Sequence, residues 1–426
     1  MRVKLFLFIT VIFAFTSLFV SATSLQQLNK SSLIPFTFQV IAVLMVIFSN
    51  NWLISRKASS ALIFGYSLLM LFCFKTNFYL LHGTLFEPSA IDSLQYWKIT
   101  KEYSHYSIID AIKMFISHED IEDLGAFFYY SIAYRLYPSI VSYNILLIFL
   151  HLLTVSISFK VLRFFGVKRS FHSIILFGLN GASIYLISTG MKEIAFGFHT
   201  SLVFYFLMLT VEKKTIYIVP LVLCLLAIYF FRPMVMMFII FSILMGFWSY
   251  LSGRTRVLSL ICIIIVVLNL SLPNWMFGQL LYLSPEVVAQ KQNLRPNLFN
   301  YSLSILSILG PYPSFQLFKG SEQQLWYGIG LMVKLAFVYP FFNGYINAWK
   351  SKQVVLVSMA TFVLLNGLGL AMILESFEYR LQYPHISSYF IVAIYGLSNG
   401  LDKSKVRLTN TVMFSVMFLW NLRFYI

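Results

Sequence analysis

Residues His82 to Tyr137 read HGTLFEPSAIDSLQYWKITKEYSHYSIIDAIKMFISHEDIEDLGAFFYYSIAYRLY. No earlier stretch is this polar over such a length. It holds eight of the 15 acidic residues: Glu87, Asp92, Glu102, Asp110, Glu119, Asp120, Glu122 and Asp123. Apolar runs long enough to cross a bilayer flank it on both sides. A polar segment between such runs is a place where an integral membrane protein can do chemistry in water at the membrane face.

Composition supports that frame. The chain has 426 residues, is 59% hydrophobic and only 11% charged, and has a mean hydropathy of +0.80. Soluble domains carry about 25% charged residues. The values belong to a lipid-embedded chain. The 44 Phe and 26 Tyr suit aromatic belts at both interfaces. Cys73, Cys224 and Cys262 lie inside apolar runs and read as small buried hydrophobes, with neither metal spacing nor a disulfide framework.

The runs predict an all-α, polytopic helical bundle of about 13 transmembrane helices. They are Leu5–Val20, Leu33–Leu53, Ala61–Leu81, Pro138–Phe159, Phe171–Thr189, Ile194–Val211, Ile216–Phe231, Met234–Leu251, Val257–Pro273, Leu325–Ala348, Val354–Leu374, Ser387–Leu397 with its flanks, and Thr409–Tyr425. The first is read as a retained span, although a cleaved signal peptide has a similar pattern. Residues 1–426 form one membrane domain with two long extracytoplasmic loops, about 82–137 and 274–324.

Charge sets the orientation. With the N-terminus in the cytoplasm, the inner segments carry Arg2, Lys4, Arg56, Lys57, Lys160, Arg163, Lys168, Arg169, Lys213, Lys214, Arg254, Arg256, Lys350, Lys352, Lys403, Lys405 and Arg407. Only Glu212 and Asp402 join them among the acids. That is the positive-inside pattern, repeated at loop after loop. The net charge of +16 is therefore a topology signal, and nucleic acid is not implied as a partner. Within the first long loop, Ile108, Ile109, Ile112, Phe115 and Ile116 fall on one helical face opposite Asp110 and Lys113. This predicts a short helix lying along the interface.

Ionisable groups at membrane depth are costly and usually face a protein cavity. Five places on the outer side stand out. Asp92 lies four residues before Tyr96; it is either a general base for a sugar hydroxyl or a helix cap. Lys192 and Glu193 form a turn between two spans. Being adjacent, they cannot share a helical face. Glu193 opens the next helix, and Lys192 is expected to be free to face an anion, unless the turn is merely charged. Arg232, before Pro233, needs a partner in space, either a carboxylate or a substrate phosphate held by its planar fork. Tyr379 and Arg380 lie with Glu375, Glu378 and His385 in a late polar segment. Arg295 lies in the second long loop, where a solvated charge is the simpler reading. Asp92 and Glu193 are thus the candidate catalytic carboxylates. Lys192, Arg232, Arg295 and Arg380, with Tyr96 and Tyr379, are the candidate phosphate- and sugar-binding residues.

Four features resemble the polytopic bacterial transferases that act on polyprenyl-diphosphate sugars. They are Asp92 followed by Tyr96, the Gly190-Met191-Lys192-Glu193 turn, Arg232-Pro233, and Tyr379-Arg380 ahead of Pro384. The plan is similar to the Wzy- and EpsG-type oligosaccharide repeat-unit polymerases and to the GT-C superfamily, and spans nearly the whole chain. The GT-C base commonly sits in the first outer loop, whereas Asp92 follows the third predicted span. The resemblance implies an enzyme of the bacterial inner membrane that polymerises or transfers polyprenyl-diphosphate-linked oligosaccharide, with other polysaccharide-assembly membrane proteins as neighbours. It implies no redox cofactor; a divalent metal fits GT-C-like members, but no ligand set is visible. Alternatives are a GT-C-type enzyme adding one sugar from polyprenyl phosphate, a flippase or transporter of the same glycans, and a structural subunit.

Overall fold

In the computed structural model the described residues are 91–118, 123–136, 140–167, 189–212, 215–251, 332–373 and 383–422, with isolated positions between them. They are helical, and no strand occurs among them. Spans expected at Leu5–Val20, Leu33–Leu53, Ala61–Leu81 and Val257–Pro273, and the loop 274–324, lie outside the described residues.

The polar stretch folds into three helices: α1 (Ile91–Glu102), α2 (Ile108–His118) and α3 (Leu124–Leu136). Ser107 caps α2. Its hydroxyl donates to the Asp110 carboxylate at 2.6 Å and accepts the Asp110 backbone N–H at 3.2 Å, an N-cap bond. That hydroxyl, with Lys113 a weaker contributor, holds the Asp110 carboxyl below its ordinary pKa. The predicted apolar face of α2 divides between the protein and the outside. Ala111 and Phe115 are buried, and the Phe115 ring stacks on Phe127 of α3 at 4.5 Å; Ile109 and Ile116 are exposed. α3 is largely buried, through Leu124, Ala126, Phe127, Tyr130 and Ala133. This part of the loop is therefore core.

The bundle continues with α4 (Ile140–Phe164), α5 (Glu193–Val211), α6 (Ile218–Tyr229), α7 (Pro233–Tyr250), α8 (Val338–Lys350), α9 (Val354–Ile373), α10 (Tyr383–Ser398) and α11 (Lys403–Leu422). Among the described residues, three stretches are long and apolar enough to cross a membrane: Leu146–Phe164, Glu193–Val211 and Pro233–Tyr250. Met237, Phe241, Leu244 and Phe247 recur at helical spacing along α7, all exposed. A stripe like that suits hydrocarbon.

α5 is the hub. It packs on α3, α4, α6, α9 and α10, and its first residue is Glu193. α7 lies against α9, and α8 against α10. The second pair crosses at Gly344 and Gly396. A Cβ on Gly344 would strike the Val392 carbonyl, and one on Gly396 the Pro340 carbonyl. Small residues let helix backbones approach this closely where van der Waals packing drives association.

The turns separate into two groups. Residues 189–193 and 230–232 meet α1 and α3: the Ser93 hydroxyl donates to the Gly190 carbonyl, and the Gly125 N–H to the Phe230 carbonyl. At the opposite end, the Phe165 ring meets Tyr395, Ser351 meets Tyr395, and the Lys352 ammonium lies over the Tyr250 ring. Charge had sorted the loops in the same way.

Candidate functional site

The turn ahead of α5 is fixed first. Gly190 has φ +69°, a left-handed conformation that glycine adopts without penalty. Its carbonyl accepts two hydroxyls, from Ser93 of α1 at 3.1 Å and Tyr130 of α3 at 2.6 Å. Both lone pairs of a buried carbonyl are thereby used, so α1 and α3 are tied to the start of α5. The Tyr143 ring of α4 stacks on Tyr130 with centroids 3.7 Å apart and lies against Gly190.

Two ion pairs sit on this base. Lys192 pairs with Asp123, which immediately precedes α3. Its ammonium also donates to the Tyr96 oxygen at 2.7 Å, while Tyr96 donates to Asp123 Oδ1 at 2.6 Å. The three groups close a ring from three separate segments. The ammonium lies 5.1 Å from the Tyr96 ring centroid, which adds a cation–π contact. The next residue turns the other way: Glu193 Oε1 faces Arg232 at 3.8 Å. The Glu193 side chain is 2% exposed and Arg232 31%. A carboxylate buried to that extent needs a cationic partner, because removing charge from water costs several kcal/mol. Arg232 holds its place through extended backbone ahead of Pro233, which starts α7 at its first turn.

At 3.8 Å the Arg232–Glu193 contact is ionic and longer than a hydrogen bond. A guanidinium has five N–H donors, so Arg232 keeps donors for another acceptor. The second oxygen of Glu193 is buried and has no hydrogen-bond partner among the described residues; the Tyr143 hydroxyl is in the same condition. Below the pair, Tyr129 Oη and His199 Nε2 are 2.7 Å apart. Burial, then Cys224, raises the Tyr129 phenol well above its ordinary pKa, so it remains a protonated hydroxyl.

Of the residues singled out in the sequence, Tyr96 meets Lys192, and Glu193 meets Arg232, with both pairs built on the same turn. Asp92 stands in the first turn of α1, four residues before Tyr96. Arg295, Tyr379 and Arg380 lie outside the described residues. One expectation is corrected: Lys192 does not stand free to meet an anion, since Asp123 and Tyr96 already hold it. A partly buried ammonium takes the partners that folding supplies. Sequence reading did not single out Asp123 or the tyrosines 130 and 143. The available signal for Asp123 was its place as the last acid before an apolar helix. The tyrosines gave none, because they look like any other aromatic in an apolar run.

A second polar group lies inside the bundle. His151 Nδ1 meets the Tyr383 hydroxyl at 2.6 Å, and His151 Nε2 meets the Gly178 carbonyl at 3.1 Å. A carbonyl only accepts, so Nε2 carries the proton and Tyr383 donates to Nδ1. Asn366 bonds His385 Nδ1 at 2.7 Å, and the buried Lys334 ammonium lies 5.2 Å from the Tyr389 ring centroid. Among the described residues, no group of three or more His, Cys, Asp or Glu could hold a metal ion. Comparison of the chain with known protein families, curated proteins and solved structures returns no match.

Proposed function

We propose that the chain is a membrane-embedded glycosyltransferase that extends or transfers polyprenyl-diphosphate-linked oligosaccharide on the outer face of a bacterial inner membrane. The observation that carries this reading is the two tertiary ion pairs built on adjacent residues of one turn, Lys192 with Asp123 and Tyr96, and Glu193 with Arg232. A tyrosine from α1, the acid before α3, the two charges of the α5 turn and the arginine capping α7 lie where the polar stretch folds back. Such a site has what the reaction needs: cations for a departing diphosphate and a carboxylate for an acceptor hydroxyl.

The step balances without a cofactor. A hydroxyl oxygen of the acceptor glycan attacks the anomeric carbon of the donor. Its O–H proton passes to a carboxylate, and the anomeric carbon–oxygen bond to the diphosphate breaks. The electron pair leaves on the diphosphate oxygen, which Arg232 and Lys192 stabilise. Before substrate arrives, Glu193 and Asp123 hold the two cations in position. An entering diphosphate competes with those carboxylates for the same N–H donors and frees one of them as a base.

The test uses cells whose only copy of the chain carries Arg232→Ala. Their surface glycan should collapse to unextended units while the protein still inserts. Full-length glycan from a normally inserted variant would rule the reading out. A second reading, transport of the same lipid-linked glycans, draws on the polar interior at His151, Tyr383, His385 and Lys334, because buried intramembrane polar groups often line a path. Vesicles that flip a labelled lipid-linked glycan without extending it would favour that reading.

A further inference from the structure

Two orphaned atoms beside the Gly190 turn have complementary chemistry. Glu193 Oε2 is an acceptor, and the Tyr143 hydroxyl is a donor. Both are buried, and neither has a hydrogen-bond partner among the described residues. They belong to one neighbourhood. Tyr143 packs against Gly190, three residues before Glu193, and lies within electrostatic reach of its carboxylate. No hydrogen bond joins them, and both are held beside the Gly190 turn. Leaving a buried polar atom unsatisfied costs about 1–3 kcal/mol, so two of them side by side call for one bridging oxygen.

We infer that Glu193 and Tyr143 form a slot for a single hydroxyl oxygen, which accepts from Tyr143 and donates to Glu193, and that the acceptor sugar's hydroxyl fills it during transfer. The inference rests on the glycosyl-transfer reading and assigns its base: Glu193, in preference to Asp92. Water fills the slot at rest. Arg232 holds the other carboxylate oxygen, leaving Oε2 as the proton acceptor. The Tyr143 hydroxyl orients the attacking oxygen, and its ring is already fixed by the Tyr130 stack. Because the slot is buried under α1 and α3, those two helices must shift to admit a sugar. Their ties to the Gly190 carbonyl, from Ser93 and Tyr130, are the contacts that would break.

Two measurements on the full chain decide it. A cryo-electron microscopy map in lipid nanodiscs should contain one ordered oxygen within about 3.2 Å of both atoms. Absence of that oxygen overturns the slot, whatever the chain's activity. In cells, Tyr143→Phe should lower glycan extension at least tenfold with unchanged insertion and thermal unfolding. Glu193→Gln should lower it further. An ordered oxygen together with normal glycan in Tyr143→Phe would mean that only water uses the slot, which overturns the sugar assignment. If deleting the gene leaves lipid-linked glycan unchanged, the transfer reading and the sugar occupant both fail, and the map still decides the slot itself.

Discussion

The two ends of the bundle use charge differently. At the site end, partners are distant in sequence and drawn from several segments. Lys192 meets Asp123, Arg232 meets Glu193, and the Glu193 side chain is 2% exposed. At the opposite end, the ion pair among the described residues is local and exposed, as is Asp110–Lys113 on α2. Lys405 reaches Asp402 three residues away at 3.8 Å, with both side chains about half exposed or more. Lys160 and Lys352 lean on single tyrosines, Tyr205 and Tyr250. One end fixes its charges with tertiary structure, as a binding site requires. The other merely carries them, as a topology signal requires. An ion pair means little for function unless folding has gone to the trouble of assembling it.

That contrast can be broken outright by labelling. A cysteine at exposed Gln95 should react with an impermeant reagent in intact cells, and one at exposed Lys403 only after the cells are opened. Reaction of both from one side would remove the distinction between the ends. Arg232→Ala comes next. It strands the buried Glu193 carboxylate and should lower stability by about 2 kcal/mol in a thermal unfolding measurement in detergent. Arg232→Ala combined with Glu193→Gln should recover part of that loss. A single variant as stable as the parent would show that the pair is not structural.

A double-mutant cycle with Lys192→Met and Asp123→Asn should give a coupling energy of about 1 kcal/mol. Additive losses would mean the Tyr96–Asp123–Lys192 ring does not act as a unit. The smallest effect belongs to the far end. Lys405→Ala should change stability by under about 0.5 kcal/mol, because exposed pairs gain little over solvent. A loss as large as that of Arg232→Ala would erase the comparison.

Much of the local structure was legible in the chain. Pro233 and Pro384 mark the first turns of α7 and α10, as their fixed φ and missing N–H dictate. The adjacency of Lys192 and Glu193 predicted divergent partners, and the two residues do point apart. The apolar face of α2 was legible as a shared face; only the structure shows that Phe115 packs on Phe127 while Ile109 and Ile116 stay exposed. Asp123 was missed although it is the last acid before an apolar helix, because that position does not say that it will meet a lysine 69 positions away.

The sequence by itself determined that the chain is apolar and helical, where several helices begin, and which turns carry like charge. Those properties follow from hydropathy, backbone restriction and a strong bias in basic residues, all of which act over a few neighbouring positions. Only the tertiary structure decided that Lys192 is already held, that Arg232 faces Glu193, and that Glu193 and Tyr143 leave a donor and an acceptor unmet beside one glycine turn. Such pairings depend on helices brought together across the bundle, where burial, not sequence distance, selects the partner.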